Sequence, residues 1–261
     1  MTRIAVIGLG EAGRRYATGL RAAGAVVRGY DTSPSRVTEG IDRAADLAGA
    51  LRDADLAISL VGAHAAMSVA AAALPLLGPG VVFADFNTAS PETKAAVAAV
   101  GVDVGVAVAD VAVLAPVTRA GSRTPLLASG PGAAEVGRLL RPFGVPVDTV
   151  AGPAGTAARL KLVRSVFMKG LATLLIETLT TADAAGAEPW MRDQLTAELG
   201  PDAPALVERL LTGTYAHTAR REQEVRDALD LLDSLGTPAD MTRGTLAWFE
   251  RILDERGEDR P

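Results

Sequence analysis

An α/β protein is predicted, with an N-terminal doubly wound parallel sheet followed by an all-helical C-terminal part. Three observations carry this. The apolar run Arg3-Ile4-Ala5-Val6-Ile7 passes straight into Gly8-Leu9-Gly10-Glu11-Ala12-Gly13 and then an Ala-containing stretch of helical length. Up to residue 151, short β-branched runs alternate with Ala-rich segments, the pattern of strands covered by crossover helices. From residue 155 the β-branched runs stop and every segment has a helical pattern. A boundary at Gly152-Pro153 therefore predicts domains 1–151 and 152–261.

Taken in order, residues 11–23 form the first helix and residues 25–30 a strand closing at Asp31. A short acid-flanked segment covers 42–51. Asp55-Leu56-Ala57-Ile58-Ser59-Leu60-Val61 is a buried strand, and 64–77 a helix closed by Gly78-Pro79-Gly80. Residues 81–86 make another strand. Ser90-Pro91-Glu92 then opens a helix, with serine as N-cap, proline at the first position and an acid in the first turn. Residues 102–113, 125–129 and 147–150 are the late strands of a parallel sheet. The stretch 155–186 lacks proline and ends at Gly186, which suits one helix of roughly 45–50 Å at ~1.5 Å per residue. Its apolar stripe is Leu160, Val163, Phe167, Leu171, Leu174 and Leu175, broadened by Leu162, Val166, Ile176 and Leu179. Shorter helices follow over 188–199, 203–211, 215–235 and 237–253, with 255–261 a frayed tail.

Composition narrows the chemistry. The chain of 261 residues is 49% apolar but only 4% aromatic, so its core must be built from Ala, Val and Leu. A net charge of −5 argues against nucleic acid or an anionic membrane surface as partner. With no cysteine and two histidines, neither a disulfide nor a transition-metal site is expected. No apolar run has the length of a signal or membrane-spanning segment, and a soluble cytoplasmic protein is expected.

The glycine triplet has a definite physical reading. Gly8 permits a sharp strand-to-helix turn, Gly10 lets backbone N–H groups approach a pyrophosphate, and Gly13 allows close helix–strand packing. The helix N-terminus turns its partial positive charge toward the phosphates. Asp31 at the end of the second strand can accept the hydroxyls of an adenosine ribose. A Rossmann dinucleotide site follows, with Gly8, Leu9, Gly10, Glu11, Ala12, Gly13, Asp31, Thr32, Val61, Gly62, Asn87 and Thr88 at its edge. Glu11 should point outward, away from a pyrophosphate. Asp31 favours NAD because its carboxylate repels a 2′-phosphate. Ser33, Ser35 and Arg36 can bind that phosphate if Asp31 turns away, so NADP stays open.

On these motifs the chain resembles the β-hydroxyacid dehydrogenases related to 6-phosphogluconate dehydrogenase, a family that includes imine reductases. The resemblance covers nearly the whole length. It rests on the glycine triplet, on Asp85-Phe86-Asn87-Thr88-Ala89-Ser90-Pro91, and on Gly152-Pro153-Ala154-Gly155 followed by Leu160-Lys161-Leu162. It implies that Lys161 is the proton donor or acceptor for a hydride transfer between nicotinamide and a carbonyl or alcohol carbon. Ser165 takes the place of the family's asparagine. Lys161-Leu162-Val163-Arg164-Ser165-Val166-Phe167-Met168-Lys169-Gly170, with Glu177 beyond, looks like a poorly characterised branch of the family. The family's Ser-Gly-Gly substrate donors are missing from Asp110-Val111-Ala112-Val113-Leu114-Ala115-Pro116. The fold and cofactor carry over, but the usual short 3-hydroxyacid substrate does not.

Beside the resemblance, each residue keeps a plainer reading. Lys161, Ser165, Lys169, Thr173 and Glu177 recur at i,i+4, with a drift of about 40° per step that lets only the first three share a site. Flanked by leucines, Lys161 is suited to proton exchange, or else snorkels to solvent. Arg164 with Ser165 can orient a carboxylate or phosphate, or Arg164 can pair with an acid on a neighbouring helix. Lys169 is a second substrate contact or an exposed cation. Arg119 and Arg123, in the loop 116–125, greet an anionic substrate near the nicotinamide or belong to a solvated loop. His217, placed in a helix with Tyr215, Arg220 and Arg221, completes a site or packs. His64 caps a helix or borders the crevice. The expected function is an NAD(P)-dependent oxidoreductase acting on a small, anionic hydroxy or carbonyl compound. The alternatives are an imine reductase-like enzyme and a non-catalytic NAD(P)-binding sensor. The long helix carries more apolar surface than about 107 residues of helical domain can cover, and the resemblance implies a homodimer through that domain.

Overall fold

In the computed structural model, which describes residues 1–36 and 38–256, the chain divides into two compact units, Met1–Lys161 and Leu162–Pro261. The first is organised around an eight-stranded sheet: β1 (Arg3–Ile7), β2 (Val26–Tyr30), β3 (Asp42–Arg43), β4 (Leu56–Ser59), β5 (Val82–Asp85), β6 (Ala107–Val113), β7 (Leu126–Ser129) and β8 (Val147–Thr149). Connections are made by α1 (Glu11–Ala22), α2 (Leu47–Leu51), α3 (Ala63–Ala73), α4 (Pro91–Asp103), the single turn α5 (Val117–Ala120) and α6 (Ala133–Leu140). The spatial order is β3-β2-β1-β4-β5-β6-β7-β8. The chain lays β2 and β3 on one side of β1 and β4 on the other, which opens a crevice beyond the carboxyl ends of β1 and β4. Both faces of the sheet are covered, so β4 and β5 are buried along their whole length and carry no alternation. Alternate residues of β1 feed two cores. Ile4 and Val6 join Tyr16, Leu20, Val136 and Leu140, while Ala5 and Ile7 join Ala70, Leu74 and Val97.

The structure departs from the sequence expectations at identifiable points. The sheet is not wholly parallel, because β7 runs antiparallel to β6. The connection 114–125 has no crossover helix; Leu114 N donates to Pro125 O (2.9 Å), so the chain re-enters the sheet at the end it left. Residues 102–103 belong to α4, whose cap Ser90 accepts from Thr93 N (3.2 Å), and β6 begins only after the turn at Gly105. Pro75 ends α3 as a full helix and leaves a 3-10 turn over Leu74–Leu76. The tail expected over 255–261 is helical at Glu255 and Arg256; residues 257–261 lie outside the described residues.

The remaining helices are α7 (Thr156–Ala184), α8 (Glu188–Leu199), α9 (Ala203–Ala216), α10 (Thr218–Ser234) and α11 (Asp240–Arg256). The helix expected over 215–235 is interrupted at His217 (φ −138°). Beside the break the Thr218 hydroxyl donates to Thr214 O (3.0 Å) and Tyr215 O (3.2 Å). One face of α7 buries Ala172, Leu175 and Leu179 against Val207 and Leu210 of α9. The predicted stripe is divided: Leu175 turns inward, whereas Leu160, Val163, Phe167 and Leu174 stay exposed on another face. No described helix is long and apolar enough to cross a membrane.

A buried ionic cluster closes the carboxyl end of the sheet. Ser59, Asp85, Asp110 and Ser129 are register partners in one row across β4, β5, β6 and β7. Lys94, only 2% exposed, reaches in from α4 and donates to Asp85 O (2.7 Å). Its ammonium lies 3.3 Å from Asp85 Oδ2 and 3.5 Å from Asp110 Oδ1. Among the described residues neither oxygen has a hydrogen bond; the Lys94 charge holds each of them. Asp110 Oδ2 accepts from Gly155 N (3.0 Å), Ala158 N (3.0 Å) and Ser129 Oγ (3.2 Å), and Ser129 Oγ accepts from Ala157 N (2.9 Å). A strand residue and its neighbour thus cap the first turn of α7. These bonds tie residues 155–158 to the sheet, within the unit that extends to Lys161.

Two predictions follow from the core. Lys94→Met leaves two buried carboxylates without their counter-ion and is expected to cost about 3–5 kcal/mol in urea unfolding of the full chain; a loss below about 1 kcal/mol would show that the cluster holds little. Tyr16, fully buried with its ring edge-on to Phe86 (centroids 5.3 Å apart), has a hydroxyl with no protein partner among the described residues. Burial pushes its phenol far above the ordinary value of 10.0. A folded-state pKa above the unfolded one means stability is complete below about pH 10 and falls as the unfolded chain ionises above it. Tyr16→Phe should remove that alkaline loss; identical slopes for the two proteins between about pH 9.5 and 11 would contradict this.

Candidate active site

The turn between β1 and α1 is built as a phosphate cradle. Gly8 has φ +92°, and a Cβ there would overlap the Leu60 carbonyl at the end of β4. A Cβ on Gly13 would overlap the Gly8 carbonyl, so α1 can approach β1 this closely only with glycine at that position. Gly10 is the N-cap of α1 and offers no capping side chain, leaving the helix end open toward the crevice. Nearest to a Cβ on Gly10 is Arg36 Nη1, at 3.3 Å. Glu11 is exposed and reaches along the helix to Arg15 (3.7 Å), away from the cradle. Backbone donors, an open helix terminus and a guanidinium meet there. These residues fit a diphosphate.

Asp31 closes β2 and is 7% exposed. Its Oδ2 accepts from Leu9 N (2.7 Å) and its Oδ1 from Ser33 N (2.8 Å), with Arg36 Nη1 3.4 Å from Oδ2. Thr32 is exposed beside it, and Ser33 and Ser35 share a hydrogen bond (3.0 Å). Arg43 Nη2 donates to the backbone oxygens of Asp31 (2.9 Å) and Ser33 (3.2 Å). Arg43 therefore fixes this loop, a role that sequence reading missed.

On the other wall, Asn87 is buried and fully committed. Its Oδ1 accepts from Val61 N (2.7 Å) and Gly62 N (2.9 Å), while its Nδ2 donates to Asp85 Oδ1 (2.6 Å) and Ser59 Oγ (3.0 Å). Asn87 stitches the ends of β4 and β5 together and leaves Thr88, next in the chain, exposed at the crevice. Lys161 Nζ lies 3.3 Å from Thr88 Oγ1. Backbone geometry sets this meeting. Gly155 (φ +98°) lies so close to α4 that a Cβ would overlap the Pro91 carbonyl, and Asp110 holds the next turn. Lys161 and the cradle belong to the same compact unit. An ammonium, a hydroxyl and an open helix terminus thus line one end of one sheet. That set can hold a nicotinamide dinucleotide and exchange a proton with an oxygen atom beside it.

Ser165 and Arg164 fall in the helical unit: Ser165 is buried with its Oγ accepting from Lys169 Nζ (3.3 Å), and Arg164 is exposed. Arg123, expected to greet a substrate or to belong to a solvated loop, is exposed. Its segment packs against the middle of α1, where Ser122 abuts Gly19, and Arg123 lines a groove with Ala22, Ala23 and Phe143. Arg119 is exposed on α5 in that same connection. His217 is not within a helix but is the exposed junction of α9 and α10. His64 is exposed in the first turn of α3. Lys94, Asp85 and Asp110 went unread as a cluster. The signal was a carboxylate in each of two buried strands, since neither can be buried without a cation or several donors.

Comparison with known proteins agrees with this geometry. The family described as the NAD binding domain of 6-phosphogluconate dehydrogenase matches residues 3–143, and a domain of unknown function (DUF1932) matches residues 182–252. A conserved hypothetical protein from Sinorhizobium meliloti 1021 is 34% identical, with 96% of this chain and 88% of that one covered and a TM-score of 0.76. A conserved protein of unknown function, described as structurally similar to 3-hydroxyacid dehydrogenases, is 27% identical over 97% of this chain and 98% of that one, with a TM-score of 0.80. The 3-hydroxyisobutyrate dehydrogenase of Mycobacterium tuberculosis, with L-serine, shares the fold at a TM-score of 0.83 and 20% identity, covering 100% of this chain and 96% of that one. With a phosphate cradle, an acid-closed second strand and a family match over more than half its length, the chain belongs to the NAD-binding family of 6-phosphogluconate dehydrogenase.

Proposed function

We propose that this protein is an NAD(P)-dependent oxidoreductase acting on a small, anionic hydroxy or carbonyl compound, with Lys161 as proton donor or acceptor. The observation that carries the reading is the Lys161 ammonium beside the Thr88 hydroxyl, in the compact unit that carries the phosphate cradle. When bound, the nicotinamide supplies or accepts the hydride. In the reducing direction Lys161 Nζ–H gives its proton to the carbonyl oxygen, an O–H bond forming as the N–H bond breaks. The oxidation runs the proton back. Thr88 Oγ holds the ammonium in place, and the partly exposed Lys161 side chain exchanges its proton with solvent. Asp31 supports NAD as the preferred cofactor, because both of its oxygens are anchored and its charge stays at the ribose position.

Lys161→Met is expected to lower kcat/KM by about 10²–10⁴-fold while leaving NADH affinity unchanged. Both are measured on the full chain, by NAD(P)H absorbance over hydroxyacids, oxoacids and cyclic imines and by fluorescence titration with NADH and NADPH. Full activity in the variant would remove Lys161 from the chemistry, and tighter NADPH than NADH binding would reverse the cofactor preference.

We also infer that the protein pairs with a second copy of itself through α7. Leu160, Val163, Phe167 and Leu174 are 40%, 49%, 66% and 54% exposed, and at 100° per residue they fall within about 60° of one another. A continuous apolar stripe of this kind is supported better by a copy of the same helix than by water. Light scattering at micromolar concentration should give a dimer, and Phe167→Glu a monomer; a monomeric wild type would end the idea.

A further inference from the structure

We propose that the groove along the outer face of α1 is a binding site for a small organic oxyanion, a carboxylate or a phosphate monoester carried on a short apolar body. The groove encloses about 720 Å³, a size within the range of small-molecule sites. It lies wholly in the first compact unit, bordered by α1, by Thr38 and Glu39 of the β2–β3 connection, by the turn 121–123 and by Phe143. Among the residues of the phosphate cradle, Glu11 alone lines it, and Glu11 turns away from the crevice. Both walls are fixed to α1 through glycines. A Cβ on Gly19 would lie 2.1 Å from Ser122 Oγ, so the turn 121–123 can sit on α1 because position 19 is bare. Gly40, at φ +75°, lets Arg21 Nη1 of α1 lie where a Cβ would otherwise stand. Thr124, fully buried, donates its hydroxyl to Gly121 O (2.8 Å) and closes the turn.

The donors in this groove lack partners. Arg14 and Arg123 line it and have neither an acid nor a hydrogen-bond acceptor among the described residues. Arg15 meets Glu11 at 3.7 Å, too far for a firm pair. Ser122 is 8% exposed and lines the groove, and its hydroxyl has no hydrogen-bond partner among the described residues. Thr38 Oγ1, at the other wall, is buried and equally unpartnered among them. Buried hydroxyls are nearly always paired, so an unpartnered one that borders a cavity points to a group that enters the cavity. Guanidinium forks match the paired oxygens of a carboxylate or a phosphate, and the Ser122 hydroxyl can donate to a further oxygen. Glu11 and Glu39 border the same groove and repel an extended polyanion, which restricts the ligand to one acid group. Ala22, Ala23 and Phe143 offer an apolar surface for the carbon body that carries it.

The site stands apart from the proposed reaction and does not rest on it. The full chain is saturated with NADH, which fills the α1 terminus, and is titrated by calorimetry with phenyl phosphate, butyrate and inorganic phosphate. Saturable binding of phenyl phosphate or of butyrate is expected; the one that binds identifies the acid group as ester or carboxylate. Inorganic phosphate should bind at least about threefold more weakly than phenyl phosphate, for want of an apolar body. Arg14→Gln and Arg123→Gln should each weaken the organic anion by about tenfold. Ser122→Ala, which keeps the packing on Gly19, should weaken it by about threefold. Arg119→Gln, outside the groove, should leave it unchanged. No saturable binding of either organic anion to the NADH-loaded protein overturns the proposal, as does undiminished affinity in both folded arginine variants. An equal loss in Arg119→Gln also overturns it, since that marks diffuse attraction to surface charge. Failure of NADH itself to bind counts against the oxidoreductase reading instead, and the same variants then decide the proposal on the unloaded chain.

Discussion

The fold of the first unit turns on one ammonium group. Lys94 sits between Asp85, the last residue of β5, and Asp110, in the middle of β6, with the charges buried almost completely. A buried ion pair rarely out-stabilises a well-packed apolar cluster of the same volume, so its presence calls for a reason beyond stability. Direction supplies one. Each carboxylate has a second oxygen aimed at a distinct structure: Asp85 Oδ1 takes the amide and side chain of Asn87, which hold the β4–Val61 turn, and Asp110 Oδ2 takes the first amides of α7. An apolar cluster of equal size would fill the space, but it would not set where the crevice wall and the start of α7 stand relative to each other.

That constraint explains why Lys161 and Thr88 meet although 73 residues separate them. Thr88 follows Asn87 directly, and Lys161 lies three residues beyond the Ala158 amide that Asp110 holds. Gly155 removes the last obstacle by letting α7 start against the Pro91 carbonyl. The candidate proton-transfer group is therefore placed by the sheet through Asn87, Asp110 and Gly155.

Much of this could be read in advance, for physical reasons that differ from place to place. The glycine triplet was legible because Gly8 and Gly13 answer local steric demands that no other residue meets. The α4 start was legible because Ser90-Pro91-Glu92 states cap, first position and dipole together. The reversal of β7 was not, since strand direction depends on which end of the sheet a loop returns to, and the loop 114–125 has the composition of any surface connection. The break at His217 was hidden because nothing in its local pattern, neither a glycine nor a proline, marks an end there. Lys169 was read as a solvent-facing cation or a substrate contact; its true neighbours, Glu224 and the α10 arginines, come from about 50 residues away, and no local pattern encodes that approach.

The proposed choice between cofactors reduces to a competition around one carboxylate. Asp31 cannot swing aside freely, because doing so breaks hydrogen bonds to the amides of Leu9 and Ser33, both of which shape the cradle itself. Arg36 is the exposed partner: it is 55% exposed on its side chain and meets Asp31 at 3.4 Å, where solvent weakens the pair. A 2′-phosphate would have to draw Arg36 onto itself and then face an Asp31 carboxylate deprived of its neighbouring cation. On the proposed reading, the ribose hydroxyls of NAD would leave that pair intact and use the remaining lone pairs of the carboxylate. The same two residues would then favour the unphosphorylated ribose through the electrostatic cost of the alternative, with Arg36 setting how large that cost becomes.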